Sequence, residues 1–335
     1  MSGAAEPKYV LGVDGGGTKS IAIVADLQGN VLGAGRAGNC DIYNNDAAVD
    51  EVERAVLHAC AEALIDRSEI GAAVYSLAGC DWPEDFSHWE TRLAPRGLGQ
   101  TIRVVNDAVG ALSSDVPEGN ALFIICGTGA ATGSRNEKGD VWHSSFWQLA
   151  QGGHELSHKV LNLVYRSELG IDPPTTLAPR VLAHFRMSSV EQLLHTFTGR
   201  EQEKPAYMAG LVPLLFEEAE AGDAAARALI ESHADALAEV AIAAARKVDI
   251  VGQPINLLLA GGVFRNPSPL MRERIIDKLH QAMPQITVIP SRSEPVKGAV
   301  TIALQMAGVH VDDAVEARLT ATLPPPEFFH THVSS

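Results

Sequence analysis

Nowhere does this sequence carry an apolar run approaching the ~20 residues that a membrane-crossing helix needs. Its first residues, MSGAAEPKY, lack the apolar core of a secretory leader, so none is expected. Cysteine is scarce. Cys40, Cys60, Cys80 and Cys126 are spaced by about twenty residues, which fits no metal-binding motif. A chain of 335 residues does not need disulfides, so the four read as small buried residues of a protein in the reducing cytoplasm. Positive charge is also scarce: 26 Lys and Arg stand against 41 Asp and Glu, for a net charge of −15. Such a surface repels DNA, RNA and anionic membranes, so none of these is expected as a partner. It does not exclude ATP, which needs only a local positive field from glycine N–H groups and a metal.

What is present fits an ordinary globular protein, 46% hydrophobic and 20% charged, with length for two domains. The most informative stretch is GVDGGGTKS at 12–20. Apolar strand-like residues lead in and out of it, so the glycines sit at a strand-to-strand turn. Glycine pairs between strands make hairpins. Consecutive glycines also let backbone N–H groups converge on an anion. Two familiar phosphate loops do not match. Thr18 and Lys19 come in the wrong order for the P-loop, and the dinucleotide fingerprint needs a helix where a strand follows here.

Strands are expected at 9–14, 20–25, 30–35, 73–78, 102–105 and 121–126. A helix is expected at 47–65, with Val49, Val52, Val56, Cys60 and Ala63 on one face and Asp46 as its cap. The pattern then recurs. An apolar strand at 122–126 runs into Gly127-Thr128-Gly129, and strand character resumes at 131–134. Residues 155–250 read as mainly helical, with an Ala-rich helix at 223–247. A buried strand at 255–260 ends in Gly261-Gly262, followed by helix 268–282, strand 286–290 and helix 295–307. The tail from 309, with Pro324-Pro325-Pro326, is expected to be loosely attached. Two α/β halves, each opening with a strand–glycine–strand hairpin, imply a cleft in which a polyphosphate is held from both sides.

The segments VDGGGTK at 13–19, NDA at 106–108, CGTGA at 126–130, LAGGVFRN at 259–266 and PVKGAV at 295–300 occur in that order. Together they resemble the N-acetylglucosamine kinase and BadF/BadG-type ATPase family, within the sugar-kinase/actin/heat-shock-chaperone superfamily, over about residues 8–308. The resemblance implies an α/β fold of two ribonuclease-H-like lobes, the actin/hexokinase-like ATPase fold, hinged around a nucleotide and sugar cleft. The lobes would be 1–115, with helix 295–308 packing back on it, and 116–294, leaving 309–335 as a tail. It implies an ATP-dependent kinase acting on the 6-hydroxyl of an amino sugar, N-acetylglucosamine first, with glucosamine or another hexose as the alternative. A small-molecule sugar is the implied partner, and a homodimer is compatible with it.

Carried over by position, Gly15, Gly16, Gly17, Thr18 and Lys19 form the first phosphate turn and Gly127, Thr128 and Gly129 the second. Gly261 and Gly262 lie against the adenosine, and Asp14 holds Mg²⁺ through water. A carboxylate beside phosphates is repulsive until a hard dication lies between them. Asp107 is the general base for the attacking hydroxyl, a role phosphoryl transfer needs alongside positioning and charge neutralisation. Its bland alternative is that Asn106 or Asp107 caps the next helix. Asn39, Gly79, Asp107 and Thr128 face the sugar, although Asn39 also reads as a turn residue.

The family carries Gly-Trp-Gly and then Gly-Asp-Glu-Gly-Ser, where this chain has FWQLAQGGHELSH at 146–158. His154 falls on the family's aspartate, followed by Glu155, and Gln148 and Leu149 fall on the tryptophan–glycine pair. A histidine accepts fewer hydroxyl bonds than a carboxylate, so relaxed sugar selectivity is expected. The same stretch matches H-E-x-x-H, the zinc-hydrolase pattern, with His154 and His158 as ligands and Glu155 as base. The extended form fails at Leu161 and Val164. A non-catalytic nucleotide-binding regulator is the remaining class; retention of Asp107 argues against it.

Overall fold

The computed structural model describes residues 8–148, 151–199, 208 and 210–330. Its strands are β1 Tyr9–Gly15, β2 Ser20–Asp26, β3 Val31–Ala37, β4 Ile70–Leu77, β5 Thr101–Asn106, β6 Ala121–Cys126, β7 Ala130–Arg135, β8 Val141–His143, β9 Ile255–Ala260 and β10 Ile286–Ile289. The helices are α1 Ala48–Ala63, α2 Pro83–Leu93, α3 Asp107–Asp115, α4 Gly153–Glu168, α5 Leu177–Phe185, α6 Val190–Thr198, α7 Leu211–Glu220, α8 Ala224–Lys247, α9 Leu270–Ala282, α10 Pro295–Met306, α11 Asp313–Thr322 and α12 Pro326–Phe329. The described residues up to Glu118, with those from Pro290 onward, form one unit, and Gly119–Ile289 form the other.

Both units use one plan. The first sheet has the order β3-β2-β1-β4-β5 and the second β8-β7-β6-β9-β10. In each, an antiparallel three-strand meander is extended by strands parallel to its first strand. This is the ribonuclease-H-like arrangement, present twice. The duplication reaches single residues. Leu-Ala-Gly closes β4 at 77–79 and β9 at 259–261, and both glycines take left-handed backbone, φ +75° at Gly79 and +99° at Gly261. Glycine adopts that region without steric cost. Strand β8 was not visible in the sequence, because three residues are too few to show a period.

Two expectations are corrected. Asp46 does not cap α1. The cap position is Ala47 and makes no side-chain bond, so Asp46 stands one residue too early to reach the helix's first N–H groups. The tail from 309 is not loosely attached up to His330. Val315, Leu319 and Phe329 are buried in the first unit. The proline run only ends α11 and starts α12. Elsewhere the local signals hold: Asp223 caps the Ala-rich α8 by accepting from Ala225 N and Ala226 N, both at 2.9 Å. All four cysteines are unpaired and buried.

Candidate active site

In the first unit the glycine turn is held by its neighbours. Gly16 N donates to Lys19 O (2.9 Å), closing the turn. Ala78 N, just past β4, donates to Gly15 O (2.8 Å), and Cys40 N, just past β3, donates to Gly16 O (3.1 Å). Those bonds bring Asn39 and Gly79 beside the turn. A trans peptide points its N–H opposite its C=O, so Gly17 N–H points away from Cys40.

Asp14, next to last in β1, pairs with Ser76 on β4, whose hydroxyl donates to Asp107 O at 3.3 Å. The two carboxylates therefore belong to one locality. Burial pushes Asp14 up to about 7, with Asp107 adding to the rise and Lys19 opposing it. Burial likewise pushes Asp107 up to about 6, opposed by its bond from Ala108 N and reinforced by Asp81 and Asp41. Two half-buried carboxylates that repel each other fit a site completed by a dication. Asn106 is the N-cap of α3, accepting from Ala108 N at 3.1 Å, and Asp107 Oδ1 accepts from the same N–H at 2.9 Å. The capping role thus falls chiefly to Asn106, and Asp107 stands in the helix's first turn.

Several residues here escaped the sequence reading. Asn106 Nδ2 donates to Asp81 Oδ1 (3.2 Å), and Asn39 Oδ1 accepts from Asp41 N (2.7 Å). Asn39 therefore spends one acceptor position of its carbonyl on a turn. The Tyr43 hydroxyl donates to the buried Asp85 carboxylate, which also accepts from Asp81 N (3.0 Å) and Trp82 N (2.7 Å). A Cβ at Gly79 would meet Asp41 Oδ1 at 3.2 Å and the Tyr43 ring at 3.2 Å. The signal was a repeated Cys-Asp pair, 40–41 and 80–81, each just past a strand.

In the second unit Gly127 N donates to Gly129 O (2.9 Å). The first N–H groups of α4 are spent on the turn: Gly153 N donates to Gly127 O (2.8 Å) and His154 N to Thr128 O (3.0 Å). By the same planarity argument Thr128 N–H and Gly129 N–H point away from α4, the arrangement of an anion nest. Gly152 and Gly153 permit this approach, since a Cβ at Gly152 would lie 2.4 Å from Thr128 O.

The glycines of the motifs separate into two kinds. Gly15 and Gly261 are demanded by the protein: added Cβ atoms would lie 2.3 Å from Cys40 Sγ and 2.5 Å from Cys126 O. At Gly17, Gly127, Gly129 and Gly262 a Cβ would meet nothing within 4 Å, and at Gly16 only Lys19 O at 3.9 Å. None of these five has positive φ. The protein itself gives no reason for glycine there.

The 146–158 segment departs from expectation. Gln148 is buried, accepting from Ser144 Oγ (2.7 Å) and donating to Gln151 Oε1 (2.7 Å), so it serves the loop and not a substrate. Leu149 lies outside the described residues. Glu155 Oε2 accepts from Gly152 N (3.1 Å), a helix-capping bond that occupies the carboxylate proposed as a hydrolase base. His154 and His158 are exposed with their Nε2 atoms 3.1 Å apart. Among the described residues no His, Cys, Asp or Glu joins them in a group of three suited to a metal.

Buried His233 on α8 anchors this loop. Its Nε2 lies 2.9 Å from Gln151 O and its Nδ1 3.2 Å from Lys159 Nζ. Burial, and then Lys159, hold it down at about 4 against 6.5 unfolded. Between those values the unfolded chain binds the extra proton, so stability falls as pH drops from 6.5 towards 4. The difference is worth about 3 kcal/mol. Urea unfolding at pH 7 and pH 4.5 should show that loss, and a His233→Gln protein should lose less over the same interval.

The chain matches the model of the BadF/BadG/BcrA/BcrD ATPase family over residues 11–303. It is 25% identical over 314 residues to the N-acetyl-D-glucosamine kinase of Dictyostelium discoideum, covering 88% of this chain and 97% of that one. It is 27% identical over 304 residues to the N-acetylmuramic acid/N-acetylglucosamine kinase of Clostridium acetobutylicum, covering 88% and 98%. A solved structure from Chromobacterium violaceum, provisionally assigned as an N-acetylglucosamine kinase, aligns with TM-score 0.62 at 20% identity, covering 90% of this chain and all of that one. The fold is that of the actin/hexokinase-like ATPases. With its two glycine turns, its paired carboxylates and a match spanning most of its length, the chain belongs to the BadF/BadG/BcrA/BcrD ATPase family.

Proposed function

We propose that this protein is an ATP-dependent sugar kinase that phosphorylates the 6-hydroxyl of an amino sugar, N-acetylglucosamine first. The observation carrying this is the set of glycines at 16, 17, 127, 129 and 262 that no backbone angle and no protein neighbour requires. A ligand passing close to the backbone explains them. Each turn would offer its own N–H groups to phosphate: Gly17 in the first unit, Thr128 and Gly129 in the second. Asp107 would accept the proton of the attacking hydroxyl, and Asn39 would donate to the acetamido carbonyl. Mg²⁺ fits Asp14, because such ions are held by one or two carboxylates with phosphates and water completing the shell. Bound there it would neutralise developing phosphate charge.

A coupled ADP-release assay over a sugar panel tests the reading. N-acetylglucosamine should stimulate turnover above basal hydrolysis, with measurable turnover of glucosamine, glucose or N-acetylmannosamine. No stimulation by any sugar would favour the regulator. Glucosamine is the second reading, because Asp41 and Asp81 stand near enough to Asp107 to reinforce its rise, and an ammonium group bound beside these carboxylates would be welcome. A higher kcat/KM for glucosamine than for its acetylated form would decide for it.

Gly17→Ala and Gly127→Ala separate ligand from fold. Each Cβ enters open space at negative φ, so the melting temperature should hold or rise. KM for ATP should rise in both. A fall in stability with unchanged KM would return these turns to plain hairpins.

A further inference from the structure

The family match ends at residue 303, yet the chain continues and returns to the sheet bearing the first glycine turn. Val315 of α11 sits over Gly29 in the β2–β3 turn, where an added Cβ would come within 2.9 Å of its methyl. Arg318 Nε donates to Gln28 O (2.7 Å), and Val31 N donates to Thr322 Oγ1 (2.9 Å). Further along β3, Arg36 Nη1 donates to Phe328 O (2.9 Å). Lys19 Nζ donates to the next carbonyl, Phe329 O. The segment thus follows edge strand β3 from Val31 to Arg36 and finishes on the residue that closes the glycine turn. It is anchored at both ends: Glu316 pairs with the buried Lys297, and Phe329 is buried, 5% exposed.

Lys19 is the residue through which such a segment would act. Its carbonyl receives Gly16 N, and its ammonium is close enough to Asp14 to oppose the rise caused by burial. A backbone carbonyl is a neutral partner, so it orients an ammonium without cancelling its charge. A lysine side chain loses much rotamer freedom when ordered. Ordering it before the ligand arrives removes that cost from binding.

We propose that Pro324–His330 is a positioning strap for the first glycine turn: seated by the Phe329 ring, it holds Lys19 through the Phe329 carbonyl so that the ammonium serves the phosphates of the nucleotide. The inference rests on the reading of residues 15–19 as phosphate-binding.

The test compares the full chain with a chain ending at Leu323, with Phe329→Ala and with Lys19→Gln. The truncation removes α12 and keeps α11 with its buried Val315 and Leu319. Nucleotide affinity is read by calorimetry with ADP·Mg²⁺, and KM for ATP and for sugar by the coupled assay. Truncation and Phe329→Ala should each weaken ADP binding and raise KM for ATP about tenfold, the size of a partly lost pre-ordering of one lysine. KM for the sugar should stay unchanged, and Phe329→Leu should restore nucleotide affinity. Combined with Lys19→Gln, truncation should cost nothing more, because the strap acts through that ammonium. Unchanged nucleotide affinity on truncation overturns the proposal. So does an equal loss for the sugar, or a loss that adds to Lys19→Gln. A Lys19→Gln protein that binds nucleotide normally removes the strap's target, while Gly17→Ala still tests the turn by itself.

Discussion

Asp107→Asn should lower kcat by ~10²–10⁴, the usual cost of losing a general base. The substitution keeps the acceptor oxygen that Asp107 offers Ala108 N, and Asn106 remains as the cap of α3. A folding defect is therefore not expected, and nucleotide affinity should change little. The pH profile supplies a second signature. Burial raises Asp107 to about 6, and only the deprotonated form accepts a proton. The kcat/KM of the native protein should climb as pH rises through that region, less so where a dication lowers the value, and the limb should vanish in the variant. Stability should move the opposite way. The native carboxyl holds its proton more tightly than the unfolded one at 3.8, so its contribution is present at low pH and lost as pH rises through about 6. Removing the charge should stabilise the protein at pH 8 by about 1–3 kcal/mol after allowance for solvent screening. A variant with near-native turnover sinks the assignment. One that is less stable at pH 8 removes the burial argument.

The second large effect lies away from the chemistry. Gly298→Ala should destabilise the first unit by about 3 kcal/mol and lower its Tm by roughly 5–10 °C. The α10 and α3 helices cross at Gly298 and Gly110. A Cβ at 298 would stand 1.9 Å from Gly110 O and 2.6 Å from Ser114 N, which are backbone atoms that cannot rotate aside. The α3 helix begins with Asp107. Forcing the helices apart should therefore cost turnover as well as stability, unlike Gly17→Ala, which should cost only nucleotide affinity. Differential scanning calorimetry beside the kinase assay checks both. A Gly298→Ala protein with native Tm would mean that the crossing relaxes freely and does not hold Asp107.

Much of this was legible in the residues. Both hairpins and their turns were readable because a strand–glycine–strand signal is local, and α8 because its alanine-rich composition is local too. The expected helices 268–282 and 295–307 correspond to α9 Leu270–Ala282 and α10 Pro295–Met306. The surroundings of Asp107 were read only in part. Asn39, Gly79 and Asp107 stand out in the sequence, whereas Asp41, Tyr43, Asp81 and Asp85, which the structure sets near them, do not, because each alone looks like a polar loop residue. Gln148 was misplaced because its neighbours in sequence say nothing of Ser144 and Gln151 closing around it.

The sequence by itself determined most of the strands, the twice-used hairpin and the positions of the turns, since those depend on residues a few places apart. The tertiary structure alone decided which glycines are crowded and which stand open, because that depends on atoms from distant strands and helices. It alone joined His233 to Gln151 and laid the C-terminal helices along β3 as far as Lys19. These are contacts between residues far apart in the chain, and they exist only once packing has brought buried surfaces together; no local pattern encodes them.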